Sequence, residues 1–201
     1  MTLSITIIAE GATEKAFERT LRNFLKERLP GQMPKLRFIS KDGRIPKGDL
    51  LRRDVERHLQ TCDAVIALTD VYTGNQPPEF ANAADAKAKM HQWVGAESRF
   101  HPHAAQYEFE AWLLPFWPRT QKLSGSNRQS PSRNPETVNH DKPPSRHLEE
   151  AYLTGKKRAY SKTLDSIAIL RDQDLAVAAT ACPELKAFLN TLLSLAGGAT
   201  I

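Results

Sequence analysis

The chain is short of most features that name a function outright. Its 201 residues hold only two cysteines, Cys62 and Cys182, far apart in sequence. Two thiols so separated form neither a zinc pattern nor a disulfide framework. Both lie in apolar surroundings and read as small buried residues of a reducing, cytoplasmic compartment. No run approaches the roughly 20 apolar residues needed to span a bilayer. The start, Met1-Thr2-Leu3-Ser4, lacks the basic head and small-residue cleavage site of a signal peptide. No membrane role is expected. Neither a Gly-x-x-x-x-Gly-Lys-Ser/Thr phosphate loop nor a Gly-x-Gly-x-x-Gly fingerprint occurs, which argues against nucleotide hydrolysis by the chain itself. Internal repeats are missing too.

What is present is a chain of ordinary composition, 40% hydrophobic and 25% charged, long enough to bury a core without staples. One domain over 1–201 is expected. Ser4-Ile5-Thr6-Ile7-Ile8-Ala9 reads as a buried strand, followed by a helix from Thr13 to Arg28. Leu36 to Ser40 is a second strand. The glycines and proline between Lys41 and Gly48 mark a loop, and Asp49 to Gln60 carries a helical stripe of Leu50, Leu51, Val55 and Leu59. Ala64 to Thr69 is continuous enough to be a central strand covered on both faces. Pro77 to Val94 reads as helix, His101 to Gln106 as an extended segment, and Tyr107 to Phe116 as the start of another helix. Ser124 to Pro135 reads as loop. Helices are expected at 165–170, 174–181 and 183–195. This alternation predicts an α/β fold, a mostly parallel sheet flanked by helices. The core is expected over 1–115 and a mostly helical C-terminal extension over 116–201, with a basic loop near 124–147.

On that scaffold the acids fall in a pattern. Glu10 ends the first strand, Glu14 enters the first turn of the following helix, Asp70 ends the central strand, and Glu108 and Glu110 follow the next extended segment. Parallel strands put their carboxyl ends on one edge, where open α/β sheets bind ligands. Gathered carboxylates repel unless something neutralises them. Mg²⁺ does so and prefers hard oxygen ligands, with one or two from protein. The plain alternative is that each acid only caps the helix after it.

The charge balance adds to this. The net charge is +5, and from Arg119 to Lys162 ten Lys/Arg face four acids. Arg44, Lys47, Arg52 and Arg53 form a second basic set. Such a balance fits an anionic partner. Arg44 and Lys47 are the best candidates for holding a phosphate backbone, because their loop follows a strand end. Lys142 is a candidate for phosphate binding or for stabilising transition-state charge, and His140 titrates in the useful range. His101 and His103, two apart on an extended segment, point the same way but lack a recognisable third ligand. Trp112, Phe116 and Trp117 sit at helical spacing and read as packing rather than base stacking. The stripe Leu185, Phe188, Leu189, Leu192 and Leu193 reads as core or as a partner-binding face.

Glu10-Gly11-Ala12-Thr13-Glu14 after the first strand, the strand-ending Asp70, and Phe109-Glu110-Ala111-Trp112-Leu113-Leu114 resemble the Toprim nucleases of the OLD and RloB kind. The chain is most similar to a small Toprim-like group often encoded beside ATPases in bacterial defence loci. Gly43 to Leu51 and Asn139 to Ser145 fit that group, so the likeness covers nearly the whole chain. The resemblance implies a Toprim-like sheet and a Mg²⁺- or Mn²⁺-dependent nuclease acting on DNA or RNA, with an ATPase partner. Homo-oligomers are compatible with it. It implies Glu10 as metal ligand or general acid/base, and Glu14, Asp70 and Glu110 as further acids of the metal set. Tyr72 stands where the second acid of the usual Asp-x-Asp pair is found, and Glu108 is the candidate to replace it. If 107–116 is helical, Glu108 and Glu110 point about 200° apart and only Glu110 faces the ion. The rival is a non-catalytic nucleic-acid-binding or regulatory subunit of an ATPase complex, which Tyr72 favours.

Overall fold

The structure is a computed structural model that describes residues 2–41, 43–71, 78–131, 134–137, 142–156 and 158–201, with the backbone alone at 12–16. Four strands, β1 (Ser4–Ala9), β2 (Lys35–Ser40), β3 (Ala64–Asp70) and β4 (Phe100–Ala105), form one sheet in the order β2-β1-β3-β4. All three pairings are parallel. β1 and β3 lie in the middle, and their apolar runs are buried on both faces, as continuous apolar strands require.

The faces are divided between two sets of helices. Ile5, Ile7, Ala64, Ile66 and Leu68 pack with Phe17, Leu21, Phe24 and Leu25 of α1 (Ala12–Arg28) and with the C-terminal helices. Ile8, Val65 and Ala67 pack on the other face with Leu51, Val55 and Leu59 of α2 (Asp49–Leu59) and with Met90 and Val94 of α3 (Ala83–Val94). Each fully buried side chain of this size contributes about 1.5–3 kcal/mol. The chain therefore leaves β1 across one face to β2, then crosses the other face to β3, on the opposite side of β1. The strand order reverses between β1 and β3, and such a reversal opens a crevice at the carboxyl ends of the two strands.

After β4, a 3-10 helix (Phe109–Phe116) leads into α4 (Trp117–Ser124). Then come α5 (Pro144–Lys156), α6 (Leu164–Leu170), α7 (Leu175–Ala181) and α8 (Pro183–Leu195). Leu185, Phe188, Leu189, Leu192 and Leu193 are fully buried, as are Trp112, Phe116 and Trp117 to within a few per cent. Both groups are core. Phe17, Phe109, Trp112 and Phe188 join α1, the 3-10 helix and α8 in one aromatic cluster, with centroids 5.3–6.2 Å apart. Among the described residues no helix is long and apolar enough to cross a membrane.

Four local expectations need correction. The helix expected from Pro77 begins at Ala83. Asn82 sets that start by accepting the Asp85 N–H at 2.9 Å, while Asp85 accepts the Ala81 N–H at 2.9 Å, a reciprocal cap. Leu50 is 65% exposed, so the stripe of α2 runs through Leu51, Val55 and Leu59 without it. The helix expected from Tyr107 begins at Phe109, because Tyr107 is in the left-handed region at φ 72 and Glu108 is extended. A helix at 144–156 was hidden in the basic stretch, where Leu148, Ala151 and Tyr152 are its buried face.

Candidate active site

The crevice between β1 and β3 is built from the two strand ends. Glu10 follows β1 directly and is buried. Its carboxylate reaches across to β3, where it accepts the Thr69 hydroxyl and, through Oε1, the Asp70 N–H at 3.2 Å. Asp70, the last residue of β3, accepts the Phe109 N–H through Oδ1 at 2.8 Å. The two acids are thus joined through backbone and side chain on neighbouring strands, although 60 positions separate them. The loop after β2 is latched to the same place, since Gly43 donates its N–H to the Glu10 carbonyl at 2.7 Å. At φ 118, Gly43 holds a backbone conformation that a side chain would resist.

The other two acids close the edge. Glu108 accepts the Ser145 N–H at 2.9 Å, at the start of α5, where a carboxylate complements the helix end. Glu110 is 1% exposed and pairs with the Lys162 ammonium at 3.4 Å. Partial burial pulls the Lys162 pKa down, but Glu110, Glu108 and Asp70 together hold it above the ordinary lysine value. One cation therefore answers to three of the acids. The charges of Glu108 and Glu110 both act on it. Glu108 lies outside the helical turn in extended backbone, so the angular separation of helical neighbours does not apply to the pair. Tyr160 lines the same side. Burial, then the charge of Glu110, raises its pKa well above the ordinary phenol value.

The remaining predicted residues are spread more widely. Lys142 pairs with Glu150 at 2.8 Å; the lysine set against the acids is Lys162. Arg44 is exposed in the latched loop. Lys47 pairs with Glu79 at 2.6 Å, which ties this loop to the approach of α3. His140, Tyr72 and the side chain of Glu14 lie outside the described residues. His103 bonds Thr191 through Nε2 at 3.0 Å and stacks edge-on with Phe188. Burial, with the nearby charges of Lys87 and His101, lowers its pKa to about 3. It is a neutral packing residue.

The donor set suits a hard divalent ion. Glu10 and Asp70 supply carboxylate oxygens, and among the described residues no thiolate or imidazole joins them in a metal-holding group. Mg²⁺ commonly takes one or two carboxylates and fills its shell with water. Hydrogen bonds from Thr69, Asp70 N–H and Phe109 N–H orient the carboxylates as such ligands require. Among the described residues, no three His, Cys, Asp or Glu side chains form a group that could hold a metal ion. The same bonds also give Asp70 and Glu108 the helix-capping work of the plainer reading. Lys162 was missed because its place, between α5 and α6, carries no periodic signal. Only the count of basic residues included it.

A family model described as "Domain of unknown function (DUF4276)" matches residues 9–193. No curated protein matches the sequence. Among solved structures, the C-terminal region of the Burkholderia pseudomallei OLD protein is similar over 98% of this chain and 99% of that chain, with a TM-score of 0.54 and 12% identity. The C-terminal region of the Xanthomonas campestris pv. campestris OLD protein is similar over 92% of this chain and 95% of that chain, with a TM-score of 0.42 and 12% identity. The first likeness is one of fold: an all-parallel sheet flanked by helices, with further helices at the C-terminal end.

Proposed function

The chain belongs to the DUF4276 family, whose description names no activity, and we propose that it is a metal-dependent nuclease cleaving phosphodiester bonds in DNA or RNA. The observation that carries this reading is the meeting of Glu10 and Asp70 at the strand-order reversal, with a cation set against the neighbouring acids. Similarity in fold to an OLD C-terminal region agrees with the sequence resemblance to OLD-type nucleases. A bound Mg²⁺ or Mn²⁺ supplies Lewis-acid polarisation of the phosphoryl oxygen and lowers the pKa of bound water.

The chain's residues do the rest. Glu10 and Asp70 hold the ion, with Glu14 as a further ligand, and Thr69 and the Phe109 N–H keep the two carboxylates oriented. Glu110 positions Lys162, and a pre-placed ammonium lowers the energy of charge that develops on a phosphodiester under attack. Arg44 and Lys47 on the latched loop, with Lys142, take the flanking phosphates, and His140, which lies outside the described residues, is the further candidate for the same role. Lacking a phosphate-binding loop of its own, the chain leaves any nucleotide hydrolysis to a separate ATPase partner.

The experiment is direct. Purified protein is incubated with plasmid DNA, single-stranded DNA and tRNA in Mg²⁺ or Mn²⁺, beside Glu10→Ala and Asp70→Ala. Cutting by the wild type that both variants lose supports the nuclease. Equal trace cutting by all three means contamination and defeats it. One observation favours the rival, a non-catalytic nucleic-acid-binding subunit: Asp70, Glu108 and Glu110 all have structural partners already. That reading predicts binding without cutting, unaffected by either substitution.

A further inference from the structure

Asp54 is an acid with no role in the chemistry above, yet it is 8% exposed in the middle of α2. A carboxylate so buried needs partners. It has two cations: Lys41, whose ammonium lies 2.5 Å from Oδ2, and Arg57, whose guanidinium donates to Oδ1. The His58 ring is 3.9 Å from the same carboxylate. Burial, foremost, holds its pKa below the ordinary histidine value, so it adds no competing charge at neutral pH.

The two cations differ in what they join. Arg57 is three residues along the same helix, and its side chain is 65% exposed, so that pair contributes little. Lys41 has a side chain 21% exposed and belongs to another element, as the first residue after β2. Removing either partner of so enclosed a pair leaves an uncompensated charge. The backbone of Lys41 is fastened as well: its N–H donates to the Ala9 carbonyl at 2.9 Å, and two residues on, Gly43 donates to the Glu10 carbonyl at 2.7 Å. Thr69 and the Asp70 N–H hold the Glu10 carboxylate from β3, while this loop holds its main chain. Gly43 is exposed, so its own bond has no burial to protect it. At the far end of the loop, Lys47 pairs with Glu79 but is 47% exposed. The buried anchor is Asp54.

We propose that Asp54 is a positioning residue of the acidic edge. Through Lys41 it holds the loop that fixes the Glu10 backbone and carries Arg44, and it touches neither ion nor substrate itself. Its effect on the ion rests on the reading of Glu10 and Asp70 as ligands; its hold on the loop does not.

Amide hydrogen exchange of the full chain, followed by NMR, reads the loop directly. The variants are Asp54→Asn, Lys41→Met, the two combined, and Arg57→Met, which removes the other partner of the same carboxylate. Lys41→Met, at a partly exposed position, carries the test alone if Asp54→Asn folds poorly. Exchange at Gly43 is compared with that of the β1 and β3 amides, which report global opening. Relative to them, Gly43 is expected to exchange roughly tenfold faster in Asp54→Asn and in Lys41→Met, the scale of one hydrogen-bonded charge pair. The double variant should be no faster than either, as for two residues acting through one contact, and Arg57→Met should match the wild type. Mn²⁺ affinity of the same proteins, by isothermal titration calorimetry, is expected to fall severalfold in the first two variants and to hold in Arg57→Met. Unchanged Gly43 exchange in Lys41→Met overturns the proposal, as does equal acceleration in Arg57→Met. Faster exchange with Mn²⁺ bound as tightly as by the wild type overturns the positioning role. Faster exchange in a chain whose wild type binds no Mn²⁺ leaves the hold of Asp54 on the loop standing and removes the metal-dependent nuclease.

Discussion

Replacing Lys162 by methionine keeps the length of the side chain and removes a cation set against Glu110, Glu108 and Asp70. Glu110 is 1% exposed and its partner's side chain is 54% exposed, at 3.4 Å. A pair at that distance attracts by ~1 to 5 kcal/mol between water-like and protein-like screening. The half-exposed ammonium places it near the lower end, so the expected net loss is about 1–2 kcal/mol at neutral pH. For a chain of this size that lowers the melting temperature by roughly 3–6 °C. The pH dependence has a definite sign. The folded-state pKa of Lys162 is raised by the three acids, so its stabilisation is fully present below the ordinary lysine value and disappears as pH rises through the raised one. At the acid end the gap between wild type and variant closes as the carboxylates take up protons. Thermal melts of wild type, Lys162→Met and Lys162→Arg across pH test this, with Arg expected to restore most of the loss. Identical melting temperatures for wild type and Lys162→Met at neutral pH, or a gap that widens above the lysine range, would refute the reasoning.

Other outcomes follow from single contacts. Gly155→Ala in α5 should destabilise by about 1–3 kcal/mol, because its Cβ would collide with the Ser124 carbonyl oxygen and lie 2.7 Å from the Ser126 nitrogen. Denaturant melts check it, and the gain of up to ~1 kcal/mol usual for Gly→Ala in a helix would contradict the close approach. Burial raises the pKa of Glu136 against the hydrogen bonds it accepts from Glu184 N–H and Trp112. As pH rises from the ordinary glutamate value through the raised one, this group should cost stability, and Glu136→Gln should flatten that slope in melts over the same window. His103, with its pKa lowered to about 3, contributes stability that is present above the ordinary histidine value and lost as pH falls toward 3. NMR titration should show its ring neutral throughout the physiological range, and a midpoint near 6.5 would contradict its burial.

The sheet was legible because β1 and β3 are short, continuous apolar runs whose burial on both faces leaves little choice of position. The ends of those runs fixed where Glu10 and Asp70 lie, and parallel order alone brought them to one edge. The region after β4 was read less well. Its 3-10 helix is buried at every residue but Pro115 and apolar at every residue but Glu110, so periodicity could not distinguish it from an α-helix starting two residues earlier. The left-handed backbone of Tyr107, an unusual residue for that conformation, hid the boundary. Lys162 was invisible for another reason: its role depends on α6 folding back toward the sheet edge, a long-range packing outcome. Leu50 fitted the stripe of α2 by spacing but lies at its solvent boundary. Neither Glu136 nor His103 advertised its partner, because the helix that receives each, α8, lies far along the chain.

The central claim is that Glu10 and Asp70 together hold a divalent ion at the reversal of strand order. Anomalous diffraction from crystals soaked in Mn²⁺ tests it most directly. A single strong peak between the two carboxylates, lost in Glu10→Ala, is the predicted result. No peak there at saturating Mn²⁺, or a peak unchanged in the variant, would contradict the account.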